Sequence, residues 1–150
     1  MQVFINIQQE CLDTALLDAK VAQSSSKIGA VVSFSGLVRD FNENGAIKGL
    51  EIEHYPGMTE KALSTIVKEA ADRWEILAVG VAHRVGIIAN SEVIVHVSVA
   101  SQHRKSAFAA CEFIMDFLKT DAPFWKKELS EKGDYWVEAK KSDAVARERW

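Results

Sequence analysis

The chain has 150 residues and a formal net charge of -3, with 48% hydrophobic and 26% charged residues. These values predict one globular domain over residues 1–150, and they argue against a nucleic-acid or membrane-surface protein because such proteins rely on positive charge. The apolar runs are too short for a transmembrane helix, no signal peptide pattern opens the chain, and only two cysteines occur. We therefore expect a cytoplasmic protein without a disulfide framework.

The first third of the chain is predicted to contain three strands and one helix. The strands cover residues 2–8, 28–38 and about 47–54, where alternating or β-branched residues dominate. The helix covers residues 12–21, with Leu12, Ala15, Leu16 and Ala19 on one face. Residues 42–45 read Asn-Glu-Asn-Gly, a turn signal that would join the second and third strands in a hairpin.

The remainder is predicted to alternate helices with pairs of strands. Thr59 can cap a helix whose apolar positions continue to Trp74, and Ser101 can cap another that runs to about Lys119. Strands are predicted at about 76–85, 92–100, 124–129 and 135–139, and Pro123 ends the helical region. Ser142 can cap a short last helix. Strands interleaved with helices in this way indicate an α+β fold.

The third predicted helix is apolar around an unusually large part of its circumference. One apolar stripe is formed by Ala107, Phe108, Cys111, Ile114, Met115 and Leu118. It is widened by Ala110, Phe113 and Phe117. A helix of this kind is usually buried on two sides. One side is expected to face the chain's own sheet, and the other a partner chain.

The sequence contains few of the usual catalytic motifs. The histidines, at positions 54, 83, 96 and 103, form no metal-binding spacing with one another or with the cysteines, so no metal site is predicted. Hydrolase and nucleotide-binding signatures are also missing. Cys111 lies on the apolar stripe, where thiols are usually inert, although a Cys111 thiol enzyme stays open as an alternative.

Several cations stand at the ends of predicted elements. His103 and Arg104 begin the third helix, where backbone N–H groups and cationic side chains can converge on an anion, and Lys119 ends it. Arg39 follows a strand, and alternation places Lys126 opposite to Lys127 but on the same face as Glu128. These residues can equally be ordinary solvated surface charge. Since Arg104 and Lys119 lie about 22 Å apart on one helix, a small ligand can reach both only if two copies of this helix pack antiparallel.

The sequence resembles the large, catalytic subunits of molybdopterin synthase at distinctive blocks across residues 28–139. These blocks are FSGLVR at 34–39, LEIEHYPGM at 50–58, HRVG at 83–86, HRKSAF at 103–108, FIMDFLKTDAPFWKKE at 113–128 and GDYWVEA at 133–139. The resemblance implies an α/β-hammerhead fold with an additional antiparallel β subdomain. It also implies sulfur transfer to cyclic pyranopterin monophosphate, which becomes the molybdopterin dithiolene, with no cofactor bound to this chain.

The resemblance further implies partners and residue roles. The partner would be a small ubiquitin-like carrier with a C-terminal Gly-Gly thiocarboxylate, and a homodimer would carry two copies of it as a heterotetramer. Lys119 and Lys126 would be catalytic, with Lys119 nearest the thiocarboxylate. Like charge from Lys126 and Arg104, together with burial, is then expected to lower the pKa of Lys119. The substrate-binding set would comprise Leu37, Val38, Arg39, His103, Arg104, Lys119, Lys126, Lys127 and Glu128. Lys140 departs from the family's usual arginine. The alternative to an enzyme is a non-catalytic dimeric module that binds an anionic ligand or a ubiquitin-like tail.

Overall fold

Ten strands and four helices succeed one another in the part of the computed structural model that is described, residues 1–42 and 45–150. The strands are β1 (Gln2–Gln8), β2 (Ala30–Leu37), β3 (Phe41–Asn42), β4 (Gly45–Ala46), β5 (Gly49–His54), β6 (Ala78–Arg84), β7 (Gly86–Ala89), β8 (Val93–Ser101), β9 (Phe124–Ser130) and β10 (Gly133–Val137). The helices are α1 (Thr14–Ala22), α2 (Met58–Arg73), α3 (Arg104–Asp121) and α4 (Lys141–Glu148). This composition confirms the α+β class. The predicted turn at 42–45 includes Glu43 and Asn44, which lie outside the described residues.

The first sheet has the order β1-β6-β8-β2, with β1 parallel to β6 and the other pairs antiparallel. Its central strands β6 and β8 are buried almost throughout because helices cover both faces. The main core lies between this sheet and α2 and α3. On the opposite face, α1 lies over small residues; a Cβ at Gly80 would meet the Leu17 side chain at 2.6 Å.

The breadth of the apolar surface on α3 is explained within the chain. The sheet covers one side, and α2 and α4 cover others. The Phe113 ring packs edge-on against Trp74 at 5.4 Å and against Trp150 at 5.7 Å. Most of the predicted partner-facing side is therefore occupied by this chain itself, although Phe108 remains 61% exposed.

The second sheet has the order β10-β9-β5-β7 and is antiparallel throughout. The predicted hairpin between the strands at 28–38 and 47–54 is wrong, because β2 pairs with β8 in the first sheet while β5 pairs with β7 and β9 in the second. A two-stranded ladder of β3 and β4 lies between them in the chain. A second core, built around Val38, Ile52 and Ile88, lies against this sheet.

Three predicted local features differ from the structure. Ser101 ends β8 and donates a hydrogen bond to the Glu75 carbonyl at 2.6 Å, while His103 takes the cap position of α3. Gly57, with φ of 85°, precedes α2, so Thr59 falls inside its first turn. On α1, Ala15 and Leu16 are exposed and Val21 is buried, which contradicts the predicted face.

In the described segments 1–42 and 45–150, no helix combines the length and apolar character needed to cross a membrane.

Candidate functional site

Two lysines come together where the first sheet's helix layer meets the second sheet. Lys119 lies in the last turn of α3, and Lys126 is the third residue of β9, after an extended corner at Ala122. Strand alternation places Lys126 on the same face as Phe124, which packs against the second core, and opposite the fully buried Ile52. Lys126 is consequently half-buried, whereas Lys119 is exposed.

The environment of Lys126 favours its neutral amine. Burial is the largest cause, and together with the positive charge and hydrogen bonding of Lys119 it lowers the pKa of Lys126 to about 7. The charge of Lys140 acts in the same direction, while Asp143 on α4 opposes it. The sequence predicted a lowered pKa for Lys119; the structure gives a lowered pKa for Lys126, the less exposed of the two lysines. Near pH 7, a large fraction of Lys126 is therefore an uncharged amine that can accept a proton or attack a carbonyl carbon.

The neighbours of Lys126 on β9 point in alternating directions, as predicted. Lys127 lies on the opposite face, with its ammonium 3.8 Å from a Glu51 carboxylate oxygen and 4.7 Å from the centre of the Trp136 ring. Glu128 accepts a hydrogen bond from the Asn42 amide. These contacts join both faces of β9 to neighbouring strands immediately after Lys126.

A cleft of about 710 Å³ is lined by residues of β4, β9 and β10 and of the segments next to them. Glu128 lines it together with Lys48, Lys132, Tyr135 and Trp136, but neither Lys119 nor Lys126 is part of its lining. Of the predicted site residues, Glu128 alone belongs to the lining described for this cleft.

The residues at the end of β2 have different exposures. Leu37 is half exposed and Arg39 is exposed, whereas Val38 is buried in the second core together with Ile52. Val38 thus supports the core behind Lys126, and the side chains available to a ligand at this strand end are Leu37 and Arg39.

His103 and Arg104 are exposed at the start of α3, and the first turn of the helix contains no acidic residue. One uninterrupted helix separates Arg104 from Lys119, a rise of about 22 Å. A single chain therefore brings Lys119 and Lys126 together but leaves His103 and Arg104 at the far end of α3.

His83 lies near the lysine pair, where the sequence predicted only a structural or surface histidine. Its ring is buried, stacks on Phe124 with centroids 3.8 Å apart, and lies within electrostatic reach of both lysines. Its place in the HRVG block at 83–86 was the available sequence signal. Across residues 1–42 and 45–150, no group of three or more histidine, cysteine, aspartate or glutamate side chains is arranged to hold a metal ion.

The chain matches known proteins along almost its whole length. The family model of the MoaE protein matches residues 7–121. The molybdopterin synthase catalytic subunit of Pseudomonas aeruginosa is 51% identical over 147 residues, covering 97% of each chain. A solved molybdopterin biosynthesis MoaE protein from Burkholderia ambifaria superposes with a TM-score of 0.85 at 45% identity, covering 99% of this chain and 98% of that one. A protein-protein complex of subunits 1 and 2 of molybdopterin-converting factor from Helicobacter pylori aligns with a TM-score of 0.75 at 25% identity, covering 89% and 90%.

Proposed function

Because the chain belongs to the MoaE family of molybdopterin synthase catalytic subunits, we propose that it transfers two sulfur atoms to cyclic pyranopterin monophosphate. The sulfur would arrive as the C-terminal thiocarboxylate of a small carrier protein, and the product would be the dithiolene of molybdopterin. The observation that carries this proposal is the pair Lys119 and Lys126. The pKa of Lys126 is lowered to about 7, and the exposed Lys119 lies beside it.

The two lysines would divide the chemistry between them. Lys119, exposed at the end of α3, is the principal catalytic residue, and its positive charge suits the approach of a thiocarboxylate. Lys126, with its pKa near 7, can accept or return a proton at the reacting centre. The partial burial of Lys126 strengthens its interactions with neighbouring charges, because charges interact more strongly away from water.

The remaining predicted residues would bind the substrate. Arg39, His103 and Arg104 are exposed donors that suit its phosphate, and Leu37 would form the adjoining wall with the buried Val38 behind it. On β9, the substrate-contacting segment would include Lys127 and Glu128, next to Lys126.

A second copy of the chain would complete the site. On a helical wheel, the side chains of Arg104, Phe108, Met115 and Lys119 fall within about 60° of one another on α3. In an antiparallel pair of these helices, placing Arg104 opposite the partner's Lys119 also places Phe108 opposite the partner's Met115, because both pairs share one midpoint. The 61% exposure of Phe108 supports such a contact.

The carrier would be a ubiquitin-like protein ending in Gly-Gly, and two carriers would join the homodimer in a cytoplasmic heterotetramer. The Helicobacter pylori neighbour, a complex of two different subunits, supports a partner of this kind. The carrier's tail would have to reach Lys119, where a carboxylate or thiocarboxylate finds positive charge.

The direct test is reconstitution with the thiocarboxylated carrier and cyclic pyranopterin monophosphate, followed by an assay of dithiolene formation. We expect the wild-type chain to form product and Lys119→Ala to lose at least about 100-fold in rate, the range for removal of a catalytic acid or base. Lys68→Ala, at an exposed lysine on α2, is the matched control. Normal product formation by Lys119→Ala would refute the catalytic assignment. Carrier binding without turnover by the wild type would instead identify a non-catalytic module.

A further inference from the structure

His83 occupies the space between the first sheet and the face of β9 that carries Lys126. It is the next-to-last residue of β6 and is 1% exposed. Its ring lies almost parallel to that of Phe124, at 3.8 Å and 14°. Because Phe124 and Lys126 are two residues apart on one strand, the imidazole covers the same face from which Lys126 extends.

The hydrogen bonding of His83 fixes its tautomer. Nδ1 lies 2.7 Å from the carbonyl oxygen of Arg84, and since a carbonyl can only accept, Nδ1 must donate. The neutral ring then keeps its lone pair on Nε2. The hydrogen bond to the Arg84 carbonyl also fixes the orientation of the ring. A phenylalanine at this position would have no such bond.

The surroundings of His83 keep it uncharged. Burial, the largest cause, lowers the pKa of His83 to about 3, against the opposing effect of its bond to Arg84. The positive charges of Lys126 and Lys119 and the proximity of His54 act in the same direction as burial. The charged groups that approach the lysine pair from other elements are Lys140 and, on α4, Asp143.

We propose that His83 is a positioning residue for sulfur transfer: stacked on Phe124 as an uncharged ring, it fixes the start of β9 and keeps water away from the amine of Lys126. This inference rests on the proposed function only where it concerns sulfur transfer. The effect of His83 on Lys126 can be measured without any substrate. A smaller residue would admit water beside Lys126, and a cationic one would add a third charge to the cluster.

Two substitutions at His83 distinguish the effect of its ring from the effect of its hydrogen bond to Arg84. His83→Phe retains a ring that can stack on Phe124 but loses the donor to the Arg84 carbonyl. His83→Asn retains an amide donor for that carbonyl but loses the ring. The readout is the titration of Lys126 by NMR of lysine labelled at Cε with ¹³C, with the resonance assigned through Lys126→Arg.

We expect His83→Asn to raise the titration midpoint of Lys126 by about one pH unit or more, because water returns to the amine. His83→Phe should change this midpoint by less than about half a unit. The folded state of this variant should be less stable than the wild type, because the Arg84 carbonyl has lost its donor. In the sulfur-transfer assay, His83→Asn should reduce kcat about tenfold with little change in KM for the carrier, and His83→Phe should retain most of the rate.

An unchanged Lys126 midpoint in folded His83→Asn would overturn the inference, as would an equal shift in His83→Phe. Should His83→Asn fail to fold, Phe124→Leu tests the same contact from the β9 side and should also raise the midpoint; no change there would refute the proposal. If the wild-type chain transfers no sulfur, the proposed function fails, and the Lys126 titration still decides the role of His83.

Discussion

At Lys126, a cationic side chain extends from the face of a sheet that packs on an apolar core, which costs stability at any pH where the amine is charged. Its folded pKa of about 7 lies below the ordinary value of 10.5. Between these two values the unfolded chain binds more protons than the folded one, so the free energy of unfolding rises with pH across this window. Below about pH 7 the full cost is present.

We therefore predict that Lys126→Met stabilises the protein while abolishing sulfur transfer. The gain in unfolding free energy should be about 1–2 kcal/mol at pH 6 and should shrink as the pH approaches about 10, measured by urea denaturation. Lys127→Met is the matched control on the same strand. It removes the contacts with Glu51 and Trp136 and should not stabilise. A loss of stability in Lys126→Met at pH 6 would contradict this account.

The resemblance predicted a role for both lysines, but it could not show that the pKa of Lys126 is lowered. That property depends on Ile52 and Phe124, which become neighbours of Lys126 only through strand pairing and the second core. His83 was missed for the same reason, because it is 43 positions away from Lys126 in the chain and approaches through packing between the sheets.

At the scale of elements, α1 is fixed to the first sheet by polar contacts as well as by apolar packing of Val21. Val21 is its one buried residue, while Asp18 accepts hydrogen bonds from His96 and Ser33, each at 2.8 Å. Burial by itself would raise the pKa of Asp18, but the hydrogen bonds of His96, Ser33 and Ser98 outweigh it and hold this pKa below its usual value. The apolar periodicity used to predict the buried face of α1 does not report such contacts.

We predict that Asp18→Asn destabilises the fold by about 1–2 kcal/mol at pH 7, near the lower end for hydrogen bonds to a charged group because the Asp18 side chain is 39% exposed. Because the folded pKa is depressed, this contribution is present above the ordinary value of 3.8 and is lost as the pH falls through the folded pKa. Wild type and variant should therefore converge at acid pH in chemical denaturation. Asp72→Asn, at an exposed position on α2, should change stability by less than about 0.5 kcal/mol, and an equal effect of both substitutions would refute the role of Asp18.

Most of the elements followed from hydrophobic periodicity, but strand pairing did not. The pattern of β2 indicates which of its residues face a core, but it does not identify the partner strand. That partner, β8, begins more than fifty residues after β2 ends. The four-residue β7, which starts at Gly86 with φ of 81°, is too short for alternation to reveal and was not predicted. The hairpin prediction failed because a turn signal describes only the local chain direction.

At the scale of the whole molecule, one chain contains only part of the proposed site. Lys119 and Lys126 are neighbours, but Arg104 is about 22 Å from Lys119 along α3. The exposed stripe of α3 that includes Phe108 offers a surface through which a second copy could bring its Arg104 to this chain's Lys119. The assembly itself would then be part of the active site.

This arrangement predicts complementation between two inactive variants. Arg104→Ala and Lys119→Ala chains should each be inactive alone, but a mixed dimer contains one site with both residues and one with neither. Random exchange makes half of the dimers mixed, so an equimolar mixture should regain about a quarter of the wild-type rate of dithiolene formation. Adding Phe108→Asp to both chains should weaken the dimer in analytical ultracentrifugation and abolish the recovery, because a charge then enters the apolar contact. Demonstrated subunit exchange without any recovery would show that Arg104 and Lys119 do not serve one site across the dimer.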